Sequence, residues 1–550
     1  MKNIIILLFS AVLLLFGLLY LFYYKHKCGK DNHAFDVIIR NGTVYDGSLK
    51  DPHVADIGIK NKKIIAIGDL SKQTAAKTIN ATGLIVAPGF IDVHTHCDLV
   101  FNEAGWKRIF AHFMDEWKGN YNYITQGVTT VVTQNCGYGF TNLNKWLGIV
   151  KSVKFGTNVY GLIAHGDTRN ELFGADNPTP LNDAQMELLK QRIEKEMQRG
   201  ALGLGTGLEY APGCEATTDE LVELCKIVKK YGGIYVSHVR DFTGRIYEDG
   251  EPGVLKAIKE AIEIGKRAQI PVHISHIQIN EPINKLPASK ILEIIDNASK
   301  EGLDVTADAY PFNVGISWIT MLTPPKYKTS NSIKPEYMTK EGKEELKKEV
   351  ENTFMYLSPD RVMIVQYKTN KSYIGKTLRQ IADVESKQPS EVYVELACDP
   401  DAPKCFFYDQ DMKVVEELMQ RDYVFTASDG FTYVKGTCKP HPRMFGTFTK
   451  KIRKYALDDK LVTLNDAIRS MTLLPAQKFN ILQRGKIEVG FYADIVVFNP
   501  NTIKNIATYE DEDARYSEGI EYLLVNGVTS IDNGKFTGKR GGRALRRTSS

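Results

Sequence analysis

The sequence predicts an α/β protein: a (β/α)8 TIM barrel, with a small β-sandwich domain made from both chain ends and an N-terminal transmembrane helix. Three observations predict it. Short apolar strands alternate with amphipathic helical stretches through the middle of the chain, which implies a parallel sheet, and about eight such units imply a closed barrel. Strand-like runs of one texture, broken by Asn-Gly and Asp-Gly, occur near both ends. Finally, Ile4 to Tyr24 are 21 residues without a charge, long enough to cross the hydrocarbon core of a bilayer as a helix.

The anchor spans residues 1–30. The apolar run ends in Tyr23-Tyr24-Lys25 rather than in a small-residue cleavage site, which favours a retained single span over a signal peptide. Lys25, Lys27 and Lys30 follow the span and Lys2 precedes it, a bias that leans towards a cytosolic catalytic part. Residues 34–86 form the first part of the β-domain, beginning with Phe35 to Gly47. Its second part, residues 484–535, carries the runs Ala493 to Phe498 and Tyr522 to Gly527. The fragments Ile39-Arg40-Asn41-Gly42 and Leu524-Val525-Asn526-Gly527 read as matching strand ends.

Between them lies the barrel, residues 87–480. Its strands are expected at Thr129–Thr133, Asn158–Ala164, Leu202–Thr206, Gly233–His238, Pro271–His276, Val305–Tyr310 and Tyr423–Ser428, with helices such as Asp183–Arg199 and Thr218–Lys230 between them. The charged, proline-containing stretch 326–413 breaks the rhythm and reads as an insertion over the barrel mouth. A basic tail, residues 536–550, is expected to be solvated.

Composition narrows the chemistry. Seventy basic against 66 acidic residues leave a net charge of +4, so no nucleic-acid partner is implied. The eight cysteines are scattered without close pairs, which excludes a disulfide scaffold.

Polar residues then gather at strand ends, where a barrel of this kind builds its active site. His94 and His96 close Pro88-Gly89-Phe90-Ile91-Asp92-Val93-His94-Thr95-His96, and i and i+2 share one face of a strand. Cys136 follows the next strand, in Asn135-Cys136-Gly137. His238, His276 and Asp429 end three later ones. Nitrogen and thiolate ligands together favour zinc.

These residues, with Gly127 to Val132, Gly200 to Leu204, Thr206 to Tyr210, His238-Val239-Arg240, Asp308-Ala309-Tyr310-Pro311 and His441 to Gly446, resemble the metal-dependent amidohydrolase superfamily. Within it the chain is similar to the D-aminoacylases (N-acyl-D-amino-acid deacylases), over nearly all of Asp36 to Gly527. The thiolate of Asn-Cys-Gly separates these from relatives that bridge metals with a carboxylated lysine. The resemblance implies hydrolysis of N-acyl amino acids, of the D series. Cys136, His238 and His276 would hold a tight zinc ion. His94 and His96, with Cys136 bridging, would form a second, weaker site. Asp429 would take the proton of a water and pass it to the departing amine. Arg443 and Tyr310 are implied as holders of the substrate carboxylate, with an ion pair inside the barrel as the other reading of Arg443. Glu209 and Arg240 read as supports of the pocket.

Two positions depart from the family pattern. Gln278 stands where bacterial members tend to have lysine; it keeps hydrogen bonding and loses the charge. Cys97 follows the His-Thr-His run where an acidic or polar residue is usual, and a thiol there could either perturb the weak metal site or be sensitive to oxidation. Two other functions compete: a cyclic amidase of the dihydropyrimidinase or dihydroorotase kind, against which Cys136 argues, and a non-catalytic membrane-anchored scaffold, against which the complete ligand set argues. The expected partners are a small N-acyl amino acid and the membrane.

Overall fold

A computed structural model describes residues 33–102, 106–174, 179–280, 286–328, 332–436 and 438–548. The run Ile4–Tyr24 read as a membrane span lies outside the described residues. Among those described, no helix is long and apolar enough to cross a membrane.

The chain opens with five strands: β1 (Phe35–Val44), β2 (His53–Lys60), β3 (Lys63–Gly68), β4 (Ala75–Asn80) and β5 (Ile85–Pro88). Asn41-Gly42, expected to end a strand at a hairpin turn, instead sits inside β1 as a bulge. Asn41 is left-handed there (φ 57°), and the register with β2 shifts between Ile39 and Gly42. The bulge gives β1 two successive parallel neighbours, β4 against residues 35–40 and β5 against Thr43 and Val44.

The barrel follows. Its first strand is split into β6 (Phe90–Asp92) and β7 (Thr95–His96), and β8 (Val128–Thr133) is the second. The third is split into β9 (Asn158–Gly161) and β10 (Ile163–Ala164). Then come β11 (Gly203–Gly207), β12 (Ile234–His238), β13 (Val272–Ile274) and β14 (Val305–Ala309). The strands pair in parallel in that order. Nearly every strand residue is buried, as expected of a sheet covered on both faces. The intervening helices start where the sequence signals it: Asn182 and Gln185 form a capping box on Asp183–Gln198, and Thr217 caps Thr218–Lys230.

The insertion folds as its own antiparallel sheet of β15 (Gly315–Trp318), β16 (Val362–Gln366) and β17 (Lys404–Phe407), with β17 in the centre. It has its own core around Leu346, Val350, Ile364, Leu378, Tyr393 and Cys405. Its sheet reaches back to Gly315, ahead of the expected start at residue 326, because β15 pairs with β17 across the whole segment. The last barrel strand is β18 (Val424–Thr426), paired with β14, continued by β19 (Gly430–Phe431), which pairs in parallel with β7 and closes the ring.

The chain then returns to the first sheet through β20 (Ile495–Phe498), β21 (Ile520–Val525), β22 (Val528–Asp532) and β23 (Lys535–Phe536). β20 pairs with β5, so both chain ends share one sheet. Asn526 and Gly527, both at positive φ, make the tight β21–β22 hairpin. The expected sandwich of two sheets is one continuous sheet of nine strands. It closes over its own core because the edge strand β3 bonds to Phe491, just ahead of β20.

The basic tail is not the solvated segment its charge suggests. The amide of Gly542 donates to Phe155 O, that of Leu545 to Val159 O and that of Arg547 to Gly200 O, while Val159 donates to Arg543 O. These partners lie at or just before the beginnings of barrel strands, and Leu545 packs into the barrel core. The tail is a strap across the end of the barrel remote from the site.

Candidate active site

Each residue singled out at a strand end lies at the same end of the barrel. His94 precedes β7 and His96 ends it, Cys136 follows β8, His238 ends β12, His276 follows β13, and Asp429 sits between β18 and β19. Cys136 Sγ lies 3.3 Å from His94 Nε2 and 3.6 Å from His276 Nε2. His276 Nε2 is 2.8 Å from His238 Nδ1, and His238 Nε2 meets the Glu209 carboxylate at 3.0 Å. Asp429 Oδ1 faces His96 Nε2 at 3.2 Å and His94 Nε2 at 3.5 Å.

These donors form two overlapping groups that could hold a metal: His94, Cys136 and His276; and His94, His96 and Asp429. The grouping differs from the expected partition in that His94 is common to both and Asp429 joins the second. His238 adjoins the first group through His276. The donor set fits zinc, a soft thiolate among imidazoles with a carboxylate. Two buried ring nitrogens, His96 Nδ1 and His276 Nδ1, lack a hydrogen-bond partner among the described residues.

Local sequence explains how the thiol reaches the cluster. Gln134 and Cys136 are both left-handed, at φ 67° and 56°, which turns the chain sharply off β8. Asn135 anchors the turn by donating to Val93 O and Val132 O. Gly207 on β11 is required beside it, since a Cβ there would come within 2.0 Å of Cys136 O. Burial opposes a charge on this thiol, but the imidazoles of His94, His238 and His276 hold it well below the ordinary thiol range.

Asp308, on β14, braces the cluster from behind. It accepts from the His276 amide (2.8 Å) and from His273 Nε2 (2.9 Å), and lies 3.4 Å from His94 Nδ1. Burial would raise its carboxyl, yet His94 and His273 hold it well below the usual range. Asp308 entered the sequence reading as part of a motif, without this role. Cys97, expected to perturb the metal site, is packed in the hydrophobic core instead. Burial pushes its thiol well up, out of reach of ionisation at neutral pH.

Arg443 lies against both Asp429 and Tyr310. Its Nη2 is 2.9 Å from Asp429 Oδ2, and its guanidinium stacks 4.6 Å from the Tyr310 ring centre. Its buried Nε has no partner among the described residues. Burial disfavours the Asp429 carboxylate, but Arg443 and His94 hold it ionised, well below the usual carboxylate range. Gln278 Oε1 accepts from Tyr310 Oη and from Gln410 Nε2, each at 2.9 Å. Gln410 belongs to the insertion, and no sequence signal marked it. Arg240 is fully engaged by Glu260 and by the carbonyls of Cys214 and Ala216, a support as expected.

A cavity of about 290 Å3 opens from this cluster towards the insertion, lined by His238, His276, Asp429, Arg443, Tyr310 and Gln278 on the barrel side. Among known proteins, the amidohydrolase family profile matches residues 414–531. A D-aminoacylase of Alcaligenes xylosoxydans xylosoxydans is 29% identical, over 94% of this chain and 99% of its own length. An N-acyl-D-glutamate deacylase of the same organism is also 29% identical, over 94% and 97%. The crystal structure of N-acyl-D-glutamate deacylase from Bordetella bronchiseptica, complexed with zinc and a phosphonate mimic of the tetrahedral intermediate, superimposes with a TM-score of 0.77 at 26% identity. That match covers 93% of this chain and 99% of the other.

The chain is similar, over nearly its whole length, to the D-aminoacylases and N-acyl-D-amino-acid deacylases. The similarity extends across both halves of the terminal sheet, the barrel and the insertion, since the matches span almost the full length of each partner.

Proposed function

We propose that this protein is a zinc-dependent hydrolase that cleaves N-acyl-D-amino acids to a carboxylate and a free amino acid. The observation that carries the reading is the convergence of Cys136, four histidines and Asp429, of which His238, His276 and Asp429 line one cavity. The zinc complex of the Bordetella relative supports the choice of metal. Cys136, His238 and His276 would hold the tight ion. His94 and His96, with Asp429 alongside, would hold the weaker one. When bound, zinc polarises the amide carbonyl and lowers the pKa of water towards neutrality.

The protein's own groups supply the rest. Asp429, kept ionised by Arg443 and the imidazoles, takes the proton of the attacking water on Oδ1 and returns it to the amide nitrogen. An amine leaves readily only when protonated, so one carboxylate serves both halves of the reaction. Arg443 and Tyr310 hold the substrate carboxylate near the scissile bond. Arg443 keeps one nitrogen on Asp429, which ties the position of the carboxylate to that of the base. Gln278, its oxygen already engaged by two donors, offers its amide N–H groups where the family tends to offer an ammonium.

The test is amine release by the zinc-loaded protein from paired N-acyl-D- and N-acyl-L-amino acids. Turnover confined to the D series is expected; release from cyclic amides alone would overturn the reading. We also assign Ile4–Tyr24 as a membrane anchor with the catalytic part on the cytosolic side. Resistance of the membrane-bound protein to carbonate extraction checks it, and recovery in the supernatant would refute it.

A further inference from the structure

The His441–Gly446 motif contributes Arg443 to the proposed reaction and leaves its first residue without a task. His441 is fully buried, and both of its ring nitrogens are engaged. Nε2 faces the carbonyl of Val314 at 2.9 Å. A carbonyl can only accept, so Nε2 carries the proton. Nδ1 faces the backbone amide of Arg443 at 3.0 Å. An amide can only donate, so Nδ1 offers its lone pair. The two partners together admit one neutral tautomer and one orientation of the ring. Burial and the nearby Arg443 charge hold its pKa well below the usual imidazole range, which keeps the ring neutral.

These two bonds join separate parts of the fold. Arg443 opens the helix Arg443–Lys450, and the first amides of a helix have no partner within it. Pro442, just ahead, caps none of them with its side chain, and His441 Nδ1 takes the first. Val314 stands immediately before β15, where the insertion begins. The ring between them is held edge-on by Phe406 of β17, Tyr509 and Phe312, at 5.0, 5.4 and 6.0 Å between ring centres. Among the described residues that line the cavity, Arg443 is present and His441 is not. The Arg443 side chain reaches Asp429 and Tyr310 from the point that His441 fixes. A guanidinium recognises a carboxylate through paired, directed hydrogen bonds, so a small shift of its backbone is felt at the ligand.

We propose that His441 is a positioning residue: it seats the start of the Arg443 helix against the insertion, and so sets where the guanidinium meets the substrate α-carboxylate. The inference rests on the deacylase reading for the carboxylate that Arg443 holds. It makes the insertion a part of substrate recognition through a residue that does not itself touch the substrate.

His441→Asn and His441→Gln separate the two bonds. Asparagine keeps an acceptor near the position of Nδ1 and drops the bond to Val314. Glutamine reaches towards Val314 in place of Nε2 and leaves the Arg443 amide without its acceptor. Each variant loses one buried hydrogen bond, so the melting midpoints should fall alike. The experiment measures, in the zinc-loaded full chain, KM for N-acetyl-D-leucine and the inhibition constant of the neutral N-acetyl-D-leucinamide. His441→Gln is expected to raise KM for the acid about 10- to 100-fold, the range of a hydrogen bond to a charged group, and to leave the amide within a few-fold. His441→Asn should hold both within a few-fold of wild type. A KM in His441→Gln no higher than in His441→Asn overturns the proposal, and so does an equal rise for acid and amide. Should neither variant fold, Phe406→Leu loosens the seat of the ring from the insertion side. A rise in KM confined to the acid is then expected, and an unchanged ratio of acid to amide refutes the role. If the wild type hydrolyses no N-acyl amino acid, the deacylase reading fails, and calorimetric binding of the same acid reads the contrast instead. Weaker binding in His441→Gln than in His441→Asn still supports the positioning role; equal binding, or none by the wild type, refutes it.

Discussion

Replacing Asp429 by asparagine removes a proton acceptor while keeping its shape. In the native site the carboxylate meets His96 at 3.2 Å, His94 at 3.5 Å and Arg443 at 2.9 Å, so it is both base and counter-ion. General acid–base catalysis contributes about 10²- to 10⁴-fold per positioned group. Here one group serves both proton transfers, and whichever step limits turnover loses it. The expected loss in kcat is therefore about 10³- to 10⁴-fold, or about 4–5.5 kcal/mol of barrier. Stability falls as well, because the Arg443 charge is left buried without its partner, a change that costs about 3–5 kcal/mol.

The assay reads amine release, zinc per chain and the melting midpoint on one preparation. Asp429→Asn should retain the tight ion, since Cys136, His238 and His276 are untouched, yet show turnover near background. Turnover within tenfold of wild type, with zinc bound, would refute the proton shuttle. Loss of all zinc would instead make Asp429 chiefly a ligand and its role in proton transfer unproven by the rate.

Cys136→Ala should abolish the tight site; elemental analysis that still finds the wild-type zinc content would strike Cys136 from the ligands. Asp308→Asn loosens the bracing of His94 and His276, so zinc affinity should fall about 10- to 100-fold by competition with a chelator. An unchanged affinity would show that the strands alone orient these rings. Ending the chain at Thr537 removes four backbone hydrogen bonds to Phe155, Val159 and Gly200. At about 0.5–1.5 kcal/mol each, the loss is about 2–6 kcal/mol. A melting midpoint equal to that of the full chain would mean the strap is dispensable.

The sequence made the catalytic cluster legible because its residues end strands, and strand ends are marked by local pattern. Successive short apolar runs closing in His, Cys or Asp need no long-range information to be noticed. The sheet of the terminal strands was harder to read. Asn41-Gly42 and Asn526-Gly527 carry the same dipeptide, yet the first is a bulge and the second a hairpin, because β1 has parallel partners on both sides of Asn41. Charge misled the reading of the tail. Arg546 and Arg547 lie along the barrel rim and donate to backbone carbonyls of Arg199 and Ala201, while Leu545 between the basic residues reaches the core. Gln410 left no local trace at all. Its contact with Gln278 follows from how the insertion folds, which depends on the pairing of β15 with β17 across nearly a hundred residues.

The backbone at the cluster adds a reason for trusting it as a built site. Cys136, His276 and Asp429 all have positive φ, at 56°, 30° and 46°. A non-glycine residue in that region costs about 1–3 kcal/mol and persists where its surroundings over-determine it. Each of the three is so fixed: Cys136 by the anchored Asn135, His276 by its amide on Asp308, and Asp429 by its amide on His94 O. The geometry has a use. A regular strand sends alternate side chains to opposite faces, whereas a left-handed turn at the strand end redirects one side chain across the barrel axis. Three strands that end this way bring a thiolate, an imidazole and a carboxylate into one cluster. His94 and His96 need no such turn: His94 sits in the break between β6 and β7 and His96 ends β7, neither at positive φ, and both rings reach Asp429. The split first strand thus supplies two donors and the regular end of β12 supplies His238, while Cys136, His276 and Asp429 each come from a strand end where the backbone is bent to deliver one residue.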